Sequence, residues 1–315
     1  MRIKISDLVK VFVGTLILVI LITQVGLANI INQITAVNPI FLLLAVITSF
    51  ISLVIAAYNI RILLYPLNVK IQFPQLLKYT FAVLVVGVFV PGRFGELSLI
   101  YFLRKGGATG MQATEIVAIQ KGIIFLSTTF FATFGLYIFL QPSQAVIISS
   151  FFLALVTVSL IVFFYTGKQM AQKYFPEKYT HKIILFLDLI AGYIQIQKKT
   201  LVINLGISLL NGILFGLTLF ILFLGYGVQI SIFHAVVIRA LLGIASTIPL
   251  TFGGIGIRES LGVLIFAQLG VNISIATSVF LLLLIIRFIF AGAASLFILD
   301  KTILSSRKNT PPTNF

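Results

Sequence analysis

Five cationic side chains, Arg93, Lys121, Arg239, Arg258 and Arg287, sit inside segments whose other residues are mostly apolar. A charge at the centre of a bilayer costs roughly 2.5 to 3.5 kcal/mol on insertion scales, so such residues face a protein interior and take partners there. Only Glu96 and Glu259 stand at comparable depth, with Glu115 nearer an edge. The central positive charge is under-compensated, and a surplus of that sign suits an anionic ligand such as a phosphate.

Two short motifs carry most of these charges. Ile248 to Glu259 reads IPLTFGGIGIRE and Val90 to Glu96 reads VPGRFGE, so Pro91, Phe94, Gly95 and Glu96 echo Pro249, Phe252, Gly253 and Glu259 in order. Lys121 and Arg287 occupy similar places in the apolar run after each motif. Gly253, Gly254 and Gly256 precede a helix expected to begin near Arg258, where backbone N–H groups could face an anion at a positive helix terminus. Pro91, Gly92, Gly95, Pro249 and the three later glycines are then the gating positions. A plainer reading stands beside this one. Arg93 with Glu96, and Arg258 with Glu259, would be internal ion pairs; Pro91 and Pro249 would be kinks; Lys121, Arg239 and Arg287 would snorkel to an edge. Glu115 and Asp188 read as interfacial, and His181 and His234 as solvated.

The elements that must position these residues follow from composition. Of 315 residues 60% are hydrophobic and 9% charged, with a mean hydropathy of +1.17, which describes a polytopic membrane protein. The absence of Cys excludes disulfides, thiolate metal sites and cysteine nucleophiles, and two His leave no histidine metal cluster. Neither metal nor cofactor is expected. A net charge of +15 would suggest nucleic acid in a soluble chain. Here 17 of the 22 basic residues fall on one side of the topology below, so the excess is an orientation signal.

A bilayer-crossing helix takes about 20 residues. Residues 11–31, 39–60, 113–140, 145–166, 201–224 and 273–299 read as full spans. Residues 79–103 and 232–269 read as two re-entrant hairpins with the glycine motifs at their tips, allowed where protein or water covers the exposed backbone. For the first run a cleaved signal peptide, with Gly26 and Ala28 at the cleavage site, is the alternative. The expected architecture is all-α, with both termini cytoplasmic and a single integral domain over 1–300. It divides into inverted halves, 1–140 and 145–300. Residues 168–199 hold six lysines and an interfacial helix over 183–196, and 301–315 read as a disordered cytoplasmic tail.

The PGRFGE…YFLRKGG run from Pro91 to Gly107 and the IPLTFGGIGIRE…LG run from Ile248 to Gly270 resemble those of the flippase-like membrane family. That family shares its domain with the N-terminal part of lysylphosphatidylglycerol synthases, the multiple peptide resistance factors. The resemblance covers roughly residues 5 to 300. It implies translocation of anionic or modified lipids, among them aminoacylated phosphatidylglycerol and polyprenyl-phosphate sugars. It also implies that Pro91, Gly92, Arg93, Gly95, Glu96, Gly253, Gly254, Gly256, Arg258 and Glu259 are motif positions. Leu250-Thr251 before Phe252 departs from the family pattern, so lipid identity does not carry over. About 15 residues follow the last span, which leaves no room for a soluble aminoacyl-transferase domain, so synthase activity is not expected.

The combined expectation is a lipid translocator of the plasma or inner membrane. Arg93, Lys121, Arg239, Arg258 and Arg287 would attract an anionic phospholipid or polyprenyl-phosphate-type lipid, with Glu96 and Glu259 positioning them. A membrane-embedded transferase acting on a lipid phosphate, and a non-transporting scaffold, are the alternatives.

Overall fold

Long apolar runs bounded by Pro, Asn and Gly leave the backbone no hydrogen-bonding partner but itself in hydrocarbon, and the chain answers with helices. A computed structural model describes residues 5–90, 94–139, 141–247, 251 and 253–298. Pro91, Gly92, Arg93 and Pro249, together with the expected tail, lie outside the described residues. In chain order the helices are α1 (Ile5–Val25), α2 (Leu27–Ala36), α3 (Pro39–Leu64), α4 (Phe73–Val88), α5 (Leu99–Lys105), α6 (Gly110–Phe139), α7 (Pro142–Tyr174), α8 (Glu177–Ile196), α9 (Lys198–Gly225), α10 (Ile232–Ala245), α11 (Ile257–Gln268) and α12 (Ile273–Ile298). Short 3-10 turns cover Tyr65–Leu67 and Phe94–Ser98, and no strand occurs among the described residues.

Four helices are long and apolar enough to cross a membrane among the described residues, and five if the bent α1–α2 pair counts as one span. The protein is an all-helical, multi-pass membrane protein. The first run departs from the single span expected over 11–31. It breaks at Gly26, where φ is +88° and the flanking helices diverge by 84°. A residue with a Cβ rarely adopts that φ, and glycine does so at no steric cost. At the start of α3, Ile40 N–H donates to Asn38 Oδ1 at 3.0 Å while Pro39 occupies the first turn, where a missing N–H costs nothing.

The chain folds into two compact units that interleave in sequence. One comprises Met1–Ala36, Gln72–Leu99 and Ser246–Phe315, and the other Val37–Ile71 and Ile100–Ala245. Each draws on both sequence halves. The arms of the second expected hairpin are divided between them, α10 in one unit and α11 in the other.

In the first unit α12 is central, packing on α4, α11, α2 and α1. Phe280 of α12 is 1% exposed and faces Gly262 of α11, where a Cβ would lie 2.1 Å from its ring. The glycine makes room for the ring.

In the second unit α3 and α9 run antiparallel along a polar seam. Gly225 O accepts from Asn38 N–H at 3.0 Å, the Thr48 and Thr218 hydroxyls meet at 3.0 Å, and Asn59 Nδ2 donates to Ser208 Oγ at 2.8 Å. Asn204 Nδ2 donates to Asn59 O at 2.8 Å. Lipid tails are as apolar as leucine, so helices in a bilayer associate through such hydrogen bonds, about 0.6 kcal/mol each on average, and through close packing of small residues. Small residues bring α10 against its neighbours. A Cβ on Gly216 of α9 would lie 2.5 Å from Val236 Cα, and one on Gly135 of α6 would lie 2.7 Å from Leu241 Cδ1.

Helix α8 packs on α7, α6 and α9. Its Tyr193 hydroxyl donates to Leu63 O at 2.8 Å. Burial first, and then the charge of Glu115, push the Tyr193 pKa upward, so the phenol keeps its proton for that bond. Glu115 is 3% exposed, more enclosed than the interfacial position expected for it. Asp188 is half exposed and pairs with Lys168.

Two substitutions in α9 test the close-packing argument. Gly216→Ala drives a Cβ into the Val236 backbone and costs about 1–3 kcal/mol, read as a lower apparent Tm in detergent. Gly206→Ala meets nothing within 4 Å and gains up to about 1 kcal/mol of helix propensity, so its Tm is unchanged or raised.

Candidate functional site

Helix α4 ends just ahead of the first motif, and the Phe94–Ser98 turn folds back against it. A Cβ on Gly95 would lie 2.5 Å from Gly87 Cα and 2.9 Å from Gly87 N, so the two backbones touch. The second motif reaches the same place. Gly253 N–H donates to Val90 O at 3.1 Å, and a Cβ on Gly253 would lie 2.8 Å from Gly87 O. The two motifs therefore meet backbone to backbone, with Gly87 between them.

Arg287 of α12 closes this contact. Its Nη1 donates to Gly253 O at 2.9 Å, and its Nη2 lies 4.0 Å from where a Gly87 Cβ would be. Helix α1 supports the loop from another direction, since a Cβ on Gly256 would lie 2.7 Å from Gly14 O and one on Gly14 would lie 3.1 Å from Ile255 O. The loop itself winds through Gly253, Gly254 and Gly256 at φ of +57°, +74° and +89°. Three left-handed positions within four residues call for glycine.

The same loop starts α11, and its polar groups are used internally. Glu259 Oε2 accepts Gly256 N–H at 2.7 Å, the back-reach of a helix N-terminal cap. Glu259 Oε1 accepts from Arg258 Nη2 at 2.9 Å and Nε at 3.3 Å. The Glu259 side chain is 1% exposed and that of Arg258 13%. The carboxylate thus sits at the positive pole of α11, where its charge is favoured. Of the N–H groups expected to face an anion, those of Gly253 and Gly256 already have acceptors in Val90 and Glu259.

The remaining candidates are distributed as follows. Gly95 is buried, and Glu96 is partly buried in the 3-10 turn. Arg239 and Lys121 belong to the other compact unit, on α10 and α6. There the Arg239 guanidinium lies over the Phe215 ring, 5.6 Å from its centroid. Pro91, Gly92, Arg93 and Pro249 fall outside the described residues. Sequence reasoning passed over Gly87 and Gly14, and noted Thr251 only as a departure from the family pattern. Thr251 is fully buried and its hydroxyl has no hydrogen-bond partner among the described residues. Its signal was a polar residue within the apolar start of the second motif.

Both motifs, with Gly14, Gly87 and Arg287 that meet at their junction, fall inside residues 8–295, the stretch matched by the family model described as lysylphosphatidylglycerol synthase TM region. The chain belongs to that family. No curated protein gives a significant match. In this member of the lysylphosphatidylglycerol synthase TM-region family, the junction combines cationic side chains, irregular backbone and a helix start within one unit of a membrane protein.

Glu259 serves two donors at once, which makes it the residue whose loss costs most. Glu259→Ala strands the Arg258 charge and the Gly256 N–H in a buried place, at a cost of about 3–5 kcal/mol. Glu259→Gln keeps one oxygen for Gly256 and falls between alanine and wild type. Thermal unfolding of the purified protein in detergent checks the order wild type, Gln, Ala.

Proposed function

We propose that this chain is a lipid translocator that carries an anionic or modified lipid head group across the membrane through a site built on the two glycine motifs. The observation that carries this reading is the junction itself, where Arg287 and Arg258 stand beside an irregular loop in a membrane-spanning unit. Broken segments at corresponding positions of two halves mark the central sites of transporters. Family membership supports a lipid-related role.

In this reading the protein has six full spans and two half-depth hairpins in inverted halves 1–140 and 145–300. Both termini are cytoplasmic and the protein resides in the plasma or inner membrane. Arg287, Arg258 and Arg93 attract the head-group phosphate. Glu259 holds the Arg258 guanidinium in a fixed direction by bonding Nε and Nη2, and Glu96 plays the corresponding part at the first motif. The glycine tips gate the two sides. The chain contains no Walker-type G-x-x-x-x-G-K-[ST], so movement draws on a gradient, the membrane potential or downhill lipid flow.

One observation favours a second reading. The Arg258–Glu259 pair and the Arg287 bond to Gly253 O also brace the loop, as a non-transporting scaffold would need. A membrane transferase would use Glu96 or Glu259 as general base; Glu259 is here given to the Gly256 N–H and the Arg258 guanidinium.

Reconstitution in liposomes separates the two. Fluorescent phosphatidylglycerol, aminoacylated phosphatidylglycerol and a polyprenyl-phosphate are followed across the bilayer with wild type and Arg287→Gln at matched folded amounts. The translocator moves at least one of them, and Arg287→Gln slows it about tenfold or more, the scale of one lost charged contact in the transition state. A well-folded wild type that moves none of them leaves the scaffold.

A further inference from the structure

The elbow between α7 and α8, on the second unit, holds a groove that the translocation site does not use. It has a volume of about 620 Å³ and is lined almost wholly by apolar surface. Met111 and Thr114 of α6 form one wall, and Phe175, Tyr179, Lys182 and Phe186 form the other. The elbow is tied where it bends: the Thr180 hydroxyl lies 3.0 Å from both Ala171 O and Phe175 O, which share its one proton. Further along α8, Leu187, Ile190 and Tyr193 are buried and continue the same face as Ile183 and Phe186.

Around the groove the surface pairs aromatic rings with cations. Tyr174, Phe175 and Tyr179 are 67%, 52% and 53% exposed. Lys173 sits 5.4 Å from the centroid of the Tyr174 ring. Lys178, His181 and Lys182 are exposed on the first two turns of α8. The acidic groups near the groove are Glu177, at the α8 start, Asp188, which pairs with Lys168, and Glu115, which is buried beside Thr114 on α6. The rim is therefore cationic over an apolar slot, which fits an amphipath with a negative head and a hydrocarbon tail. A zwitterionic head group offers the same phosphate beside a cation, so it gains less from the lysines than an anionic one.

We infer that this groove binds one anionic phospholipid of the surrounding leaflet, with an acyl chain between Phe186 and Met111 and its phosphate against Lys178 and Lys182. The lipid is a resident of the elbow and not the transported cargo. It seats α8 on the membrane surface, the interfacial position its composition already implies.

The chain contains no Trp, so Tyr179→Trp places a single reporter on the groove wall. The protein carrying it is reconstituted in phosphatidylcholine vesicles with a small fraction of lipid brominated along its acyl chains, either phosphatidylglycerol or phosphatidylcholine. Quenching by brominated phosphatidylglycerol should exceed that by brominated phosphatidylcholine at least about fivefold, the effect of one lysine near a membrane surface. Adding Lys178→Gln and Lys182→Gln should bring the ratio close to one. Millimolar inorganic phosphate should leave the quenching unchanged. Equal quenching by the two lipids, a preference that survives in the lysine variant, or displacement by free phosphate overturns the inference. If Tyr179→Trp fails to fold, native mass spectrometry of wild type against Lys178→Gln/Lys182→Gln decides through the phosphatidylglycerol retained on delipidation. Equal retention overturns the inference, and loss in the variant alone upholds it.

Discussion

The structure depends on a contact between backbones. Gly87, Gly95 and Gly253 come so close that a single methyl group on either Gly95 or Gly253 would overlap the Gly87 main chain. Bringing bare backbone together in a membrane protein creates a debt of unsatisfied N–H and C=O groups that water cannot settle. Two neighbouring charges and the Val90 carbonyl answer it. Arg287 takes the Gly253 carbonyl, Val90 takes the Gly253 N–H, and Glu259 takes the Gly256 N–H. Intramembrane charges that look like a ligand site in one dimension are first the groups that make a broken helix tolerable in three.

The second unit meets the same constraint differently. Its helices stay unbroken and satisfy their own backbones, so what remains is to hold helix to helix without a hydrophobic drive. The α3–α9 seam does this with Thr48–Thr218, Asn59–Ser208 and the Asn204 bond to the Asn59 carbonyl. Small residues at Gly216, Gly135 and Gly212 then admit neighbouring side chains. Asn204 illustrates the cost of this strategy. Its Nδ2 is committed to a carbonyl, so its fully buried Oδ1 is left without a donor among the described residues.

Much of this was legible in the sequence, because length and apolarity decide where helices form in a membrane. Each apolar run is helical, and the basic 168–199 segment forms an amphipathic helix over much of its length. The two glycine motifs announced themselves as breaks. Their meeting did not. The residues the motifs share pair them as motifs, but nothing in either shows that Val90 and Gly253, far apart in the chain, meet backbone to backbone. Gly87 and Gly14 were invisible for a related reason: a helical glycine shows that a backbone approaches, never which one. The bend at Gly26 was lost within a uniformly apolar stretch, where hydropathy reads straight through a change of φ. Arg258 and Glu259 are successive residues, which on a regular helix do not face one another. They meet because Glu259 turns back to cap α11 at Gly256, and Arg258 follows it.

That double use of charge gives the translocator reading a physical logic. A phosphate arriving at Arg287 would compete with the Gly253 carbonyl for the same guanidinium, as a stronger, ionised acceptor. Winning that competition would release the carbonyl and loosen the bond network that joins the second motif to the first. The released carbonyl would then need water or another donor, which only an opened site supplies. Head-group arrival and loosening of the junction would be one event, driven by the ligand's differential affinity for the loosened state. The Arg258–Glu259 pair would stay intact through this change, because it caps α11 and does not bridge the two motifs. On this view the two arginines divide the work, with Arg287 as the moving contact and Arg258 as the fixed one.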